Sequence, residues 1–160
     1  MDRIDKILNH DLFLYHLGKN NAAEADRRFC RHSMVHFLDV ARIGTIIALE
    51  EGLELDREWI YAAALLHDCG KHEQYENGTP HEQASARIAP EILKDCGFDD
   101  KETDVIVTAI SRHRDPEAAK EKNLNGVLYR ADKASCACFA CDAEKDCNWK
   151  DGKKNLTIRY

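Results

Sequence analysis

Helix breakers are scarce in this chain: three prolines and eight glycines in 160 residues. That scarcity argues against the turn-rich pattern of sandwiches and barrels. No alternation of apolar and polar residues persists beyond a few positions, and no internal repeat or low-complexity linker is visible. Long apolar runs are missing too; none approaches the roughly 18 residues of a membrane span. The first residues mix Asp2, Arg3, Asp5, Lys6 and Asp11 with apolar neighbours, unlike an export signal. The expected compartment is therefore the cytoplasm, where thiols stay reduced. Positive charge is in deficit: 23 Lys and Arg stand against 29 Asp and Glu, for a net charge of −6. No basic stripe with interleaved aromatics and no glycine-rich phosphate loop occurs, so no nucleic-acid or membrane partner is expected. A phosphate-bearing ligand would have to be held by local cations or by metal.

What the chain does contain is helical periodicity. The spacing predicts a first helix over 4–17, stopped by Gly18 and Asn20-Asn21, and a short one over 22–29. A long helix over 33–51 follows, with Met34, Phe37, Leu38, Ala41, Thr45 and Ala48 on its inner stripe. Asp56 reads as the N-cap of a helix ending at His67-Asp68-Cys69-Gly70. The polar stretch 71–78 reads as a loop. Thr79-Pro80-His81-Glu82 and Asp99-Asp100-Lys101-Glu102 both read as capped helix starts. A last helix is expected over 124–137. These elements imply an all-α bundle over 1–137 and an irregular cysteine-rich tail over 138–160, packed on the same domain.

Polar residues stand where apolar ones would be cheaper. His36 sits inside the long helix. His67-Asp68 closes the apolar run Ala62 to Leu66, His81 opens a helix, His113 ends one, and Asp132 lies in an apolar-periodic helix. A carboxylate on the inner face of a helix is costly unless paired or bound to a cation. Imidazole and carboxylate are natural ligands for Fe, Mn, Ni, Co or Zn. His32, four residues before His36, competes with it as the first ligand.

The order His36, His67-Asp68, Asp132 resembles the HD superfamily of metal-dependent phosphohydrolases. Ala62-Ala63-Ala64-Leu65-Leu66-His67-Asp68-Cys69-Gly70-Lys71 is close to that family's AALLHDIGK signature. His36 to Ala41 is similar to its HxxxVA helix. His81 and His113 are similar to the extra histidines of the binuclear branch, which includes HD-type diadenosine tetraphosphate hydrolases and cyclic-di-nucleotide phosphodiesterases. The latter carry a Gly-Tyr-Pro element; here Arg114-Asp115-Pro116 follows His113, which argues against that activity.

The resemblance implies a compact HD-domain helical bundle and one or two divalent transition metals that activate water for attack on phosphorus. Asp68 would bridge the metals, His36, His67 and Asp132 completing one and His81 and His113 the other. Asp68 and Lys71 are the expected catalytic groups. Lys71, Arg114, Arg130 and Lys133 are candidates to hold a small phosphate-bearing substrate, expected to be a nucleotide. Two other readings stay open: an HD-fold nucleotide- or metal-binding module without hydrolysis, and an HD-like di-iron oxygenase. The seven cysteines are an odd number. Cys138 and Cys141, with Cys147 as third ligand and Cys30, Cys136 or a histidine as fourth, are candidates for a structural zinc site. Cys138 and Cys141 are alternatively a redox pair. The oligomeric state is left open.

Overall fold

The computed structural model describes residues 1–160 and contains helices and no strands. The elements are α1 (Asp2–Leu8), α2 (Asp11–Ala23), α3 (Met34–Glu50), α4 (Arg57–Leu66), α5 (Lys71–Asn77), α6 (His81–Asp95), α7 (Asp100–Arg112) and α8 (Leu124–Ala134). Single turns of 3-10 helix follow in the tail at 138–140, 144–146 and 151–153.

The architecture is organised around α4. Asp56 caps it by accepting from the Glu58 amide, as its sequence position predicts. From Ala62 to Leu66 every residue is buried, so no face of this stretch meets solvent. A helix apolar all round belongs in the centre of a bundle. Helices α1, α3, α7 and α8 pack around it. Helix α3 buries Phe37, Val40, Ala41, Gly44, Ile47 and Ala48. The stripe is rotated from the predicted one, because Gly44 allows close approach. A Cβ there would stand 3.0 Å from Ile60 and 3.4 Å from Val127. Helix α7 starts with the expected capping box between Asp99 and Glu102. Glu102 also accepts from Trp59 and Arg3, tying α7 to α4 and α1.

Several sequence expectations are corrected. The first helix is two, broken at Asn9, with the His10 side chain capping α2 by accepting from Leu12. Gly18 and Asn20-Asn21 lie within α2 and do not stop it, and no helix covers 24–29. Asn20 is fully buried because it works as a latch: its amide donates to the Asp68 carbonyl and its oxygen accepts from the His72 amide. The expected loop over 71–78 is helix α5, closed by Gly78 at φ +81°. Its inward residues are Lys71 and His72, so no apolar stripe marked it in the sequence. Thr79 does not cap α6; its amide and hydroxyl both donate to Asn77. Pro80 occupies the cap position. Helix α8 ends at Ala134, earlier than expected.

Gly70 holds the turn between α4 and α5 against α6. A Cβ there would meet Ala84 Cβ and the Ser85 backbone nitrogen, each at 2.7 Å. Backbone cannot yield as a flexible side chain can. Gly70→Ala is therefore expected to cost about 1–3 kcal/mol, read as a lowered urea midpoint with unchanged slope. The same substitution should reduce metal affinity, because it displaces the turn that carries Asp68.

Candidate metal centre

Six side chains from five helices and their ends converge beside the C-terminus of α4. They form two sets that share Asp68: His36, His67, Asp68 and Asp132 in one, Asp68, His81 and His113 in the other. In the first set, Asp68 Oδ2 lies 3.1 Å from His67 Nε2 and 3.5 Å from His36 Nε2. Asp132 Oδ1 lies 3.5 Å from His36 Nε2 and 3.7 Å from His67 Nε2. In the second, Asp68 Oδ1 lies 3.1 Å from His81 Nε2 and 3.5 Å from His113 Nε2. Ligand bonds of about 2.0–2.2 Å put adjacent donors about 3.0–3.6 Å apart, so these spacings suit a transition-metal ion in each set.

The hydrogen bonds on the far side of each ring decide which nitrogen faces the centre. His67 and His113 end α4 and α7, where the last carbonyls lack amide partners. Each ring folds back and its Nδ1–H donates to a carbonyl three residues earlier, Ala64 or Ile110, at 2.7 Å. The Nδ1–H of His81 donates to Gln74 Oε1 at 2.6 Å. That of His36 donates to Ser135 Oγ at 3.1 Å, the hydroxyl proton being committed to the Asp132 carbonyl. In the neutral rings all four Nε2 atoms are thereby left as lone pairs. They nevertheless face one another: His36 and His67 at 3.3 Å, His81 and His113 at 3.2 Å. Asp68 Oδ1, between the second pair, is buried with no hydrogen-bond partner. Opposed lone pairs and an orphaned buried carboxylate oxygen call for positive charge. The residues present therefore fit a pair of divalent cations.

Titration reports the same demand. Burial raises the pKa of Asp68, but the facing imidazoles outweigh it and hold the carboxyl well below the usual range. Burial lowers that of His67, yet Asp68 and Asp132 hold the ring up to about 10. His81 shifts the other way, mainly through burial, with Lys71 adding to the loss of the charged form. A metal ion would meet the demand that a proton on His67 meets without it.

The set opens into a cavity of about 570 Å³. Lys71, Arg114 and Lys133 line it, as expected of candidate substrate-binding groups, and so do Arg27, Arg31 and Lys154. Asp68, Asp132 and Glu144 are the only carboxylates on its wall. A cation excess is thus concentrated here in a chain of net charge −6. Arg130 is the exception among the predicted binders. Its guanidinium donates to Glu51 and to the carbonyls of Ala119 and Glu121, away from this cavity. Arg130→Met is expected to cost about 1–3 kcal/mol of stability while leaving turnover per folded molecule unchanged. Lys71→Met should do the reverse, lowering kcat/KM about tenfold or more with a smaller effect on melting.

His32 does not belong to either ligand set. It stands on the cavity wall with Nε2 3.7 Å from Asp68 Oδ2, while Nδ1 bonds Glu24. Glu24 is buried and also accepts from Tyr75, and these bonds hold its carboxyl down at about 2 against the effect of burial. Sequence reading missed Glu24, Gln74 and Ser135, which orient the rings. No motif announces them; only their contacts do. The cysteines Cys30, Cys136, Cys138, Cys141 and Cys147 line the same cavity. None of them joins a set of three donors close enough for one ion. That departs from the expected zinc geometry.

The fold and the paired sets define an all-helical domain that gathers histidine and aspartate into groups able to hold metal. Residues 34–148 match the HD domain family, and the chain belongs to it. HD domains are typically metal-dependent hydrolases. The chain is 48% identical, over the full length of both, to an uncharacterized protein of Clostridium beijerinckii. It is also similar to the crystal structure of a "predicted HD superfamily hydrolase" from an uncultured Thermotogales bacterium. That match has a TM-score of 0.63 at 23% identity and covers 89% of this chain and 81% of that one. At this identity the likeness is one of fold. No helix is long and apolar enough to cross a membrane.

Proposed function

We propose that this HD domain is a binuclear metal-dependent phosphohydrolase acting on a small polyanionic phosphate, a nucleotide or dinucleoside polyphosphate. The observation that carries the reading is the division of Asp68: one oxygen faces His36 and His67, the other His81 and His113. Bound divalent ions would supply Lewis acidity and a nucleophilic water at neutral pH. The chain's own residues do the rest. Asp68, anchored through its carbonyl by Asn20, fixes the relative position of the two sets. Lys71, Arg114 and Lys133 offer donors to phosphate oxygens from the cavity wall. Lys71 is buried; burial lowers its pKa, but the positive charge it carries is poorly screened there and acts strongly on an anion in the cavity. His32, its ring oriented by the hydrogen bond between Nδ1 and Glu24, offers Nε2 to the cavity as a hydrogen-bonding group.

Phosphate release by the metal-loaded protein, measured over nucleoside mono-, di- and triphosphates and dinucleoside polyphosphates, tests the proposal. Turnover with at least one class, abolished by chelation and restored by Mn, Co or Fe, is expected. Oxygen uptake by iron-loaded protein, with no phosphate released from any of these compounds, would overturn it in favour of oxygenase chemistry.

A further inference from the structure

Five of the seven cysteines line one cavity, and the mechanism above uses none of them. Cys69 and Cys96 are buried elsewhere in the core. Three of the five, Cys138, Cys141 and Cys147, come from the tail. Cys136 precedes them, and Cys30 comes from the connector between α2 and α3.

The tail has little other reason to be ordered. Among residues 138–160 only Cys138, Ala143 and Asn155 are buried, while Phe139, Leu156, Ile158 and Tyr160 are exposed. Polar ties hold it in place. Asn155 donates to the carbonyls of Lys133 and Cys136, its own carbonyl accepts from Phe139, and Lys154 donates to Glu144. These contacts set the loop's path but supply almost no apolar burial. A bound group would add folding free energy that apolar burial does not supply here.

The absence of a compact three-donor set among these sulfurs bears on which group they could hold. A zinc tetrathiolate, with Zn–S near 2.3 Å, requires sulfurs about 3.8 Å apart. The His and Asp donors are gathered within 4.8 Å of one another, yet no three donors including a cysteine are. A cubane iron–sulfur cluster instead spreads its four thiolates about 6 Å apart around a central body. Five cysteines that line one cavity without a compact three-donor set fit the second arrangement better than the first. Three thiols close together in sequence plus one remote also match the way such clusters are held.

We propose that Cys138, Cys141, Cys147 and Cys30 hold a [4Fe–4S] cluster beside the HD metal centre, cross-linking the connector to the tail. Each thiol loses its proton as its Fe–S bond forms, and the complete thiolate-bound cluster carries a net charge of about −2. Arg27 and Arg31 on the same wall offset that charge. Cys136 lines the same wall and stays outside the ligand set. The cluster ties down the connector that carries His32 and leaves the HD ligands free. Its presence does not depend on the hydrolase reading.

The full-length protein purified without oxygen, or reconstituted anaerobically with sulfide and equal amounts of ferrous and ferric iron, tests this. About four acid-labile sulfides per chain and a broad absorption near about 400 nm are expected. Labile sulfide should fall more than tenfold in Cys138→Ser, Cys141→Ser, Cys147→Ser and Cys30→Ser, and persist in Cys136→Ser. Helix content by circular dichroism and retention of the HD metals identify variants that remain folded. Asp68→Ala should keep its sulfide while losing the HD metals, which separates the two sites. Zinc without labile sulfide in the wild type, or sulfide undiminished in Cys141→Ser, would overturn the assignment. Loss in Cys136→Ser with retention in Cys30→Ser would refute Cys30 as the fourth ligand.

Discussion

Asp68→Ala is expected to empty both halves of the HD centre at once. Bound metal at the HD sites should drop from about two equivalents to below about 0.2, and hydrolysis by about a thousandfold or more. The reason is geometric. Asp68 is the one residue common to the two ligand sets, and each of its oxygens lies 3.1 Å from an imidazole Nε2. Without it, the second set is reduced to two neutral rings and the first keeps a single carboxylate, Asp132. A divalent ion that gives up its hydration shell needs more anionic charge than that. Elemental analysis measures the metal, and phosphate release measures the activity. Asp68→Asn separates charge from shape: it keeps the hydrogen-bonding surface but removes the anion, so it should lose metal almost as fully. Two equivalents of metal retained in folded Asp68→Ala would remove the basis for a binuclear centre.

The second large effect is a split response. His81→Ala should release one metal and leave the other, because His36, His67, Asp68 and Asp132 remain intact. Asp132→Ala should do the converse and weaken the set that contains it. Each variant is expected to lose about a hundredfold in kcat, since one ion cannot both polarise the phosphoryl group and supply the nucleophile as effectively as two. Gln74→Ala is a milder version of His81→Ala. It leaves the ring but removes its 2.6 Å hydrogen bond at Nδ1, so metal affinity should fall about 10–100-fold. Loss of both metals in His81→Ala would show that the two sets fill cooperatively and would argue against independent sites.

Much of this was legible in the chain. The helical class followed from periodicity and scarce breakers. Asp56 and the Asp99–Glu102 box marked their helix starts because capping is local chemistry. The six candidate ligands were legible mainly through their order along the chain, which resembles the HD pattern; only His67-Asp68 and Asp132 were also marked by a neighbouring apolar run. Helix α5 was illegible for the opposite reason: its buried side chains, Lys71 and His72, are polar, so it had no apolar stripe to detect. Asn20 looked like a helix stop because asparagine usually serves that role. Only burial against the α4–α5 turn turns it into a latch. The lysines and arginines resisted sorting as well. Arg130 and Lys133 are three residues apart on α8, yet one binds Glu51 and the other reaches the cavity.

Sequence alone therefore determined what depends on neighbours within a few residues: helix type, the local caps, and the identity of groups able to bind metal. Tertiary structure decided what depends on convergence of distant segments. It chose His36 over His32 for the close ligand set, gave each oxygen of Asp68 its own pair of histidines, and committed each Nδ1 to a partner elsewhere in the fold or its own helix. It also brought Cys30 to the same cavity as cysteines more than a hundred positions later. Such distances are set by how α3, α4, α7 and α8 pack, and packing is a property of the whole buried surface rather than of any local run of residues.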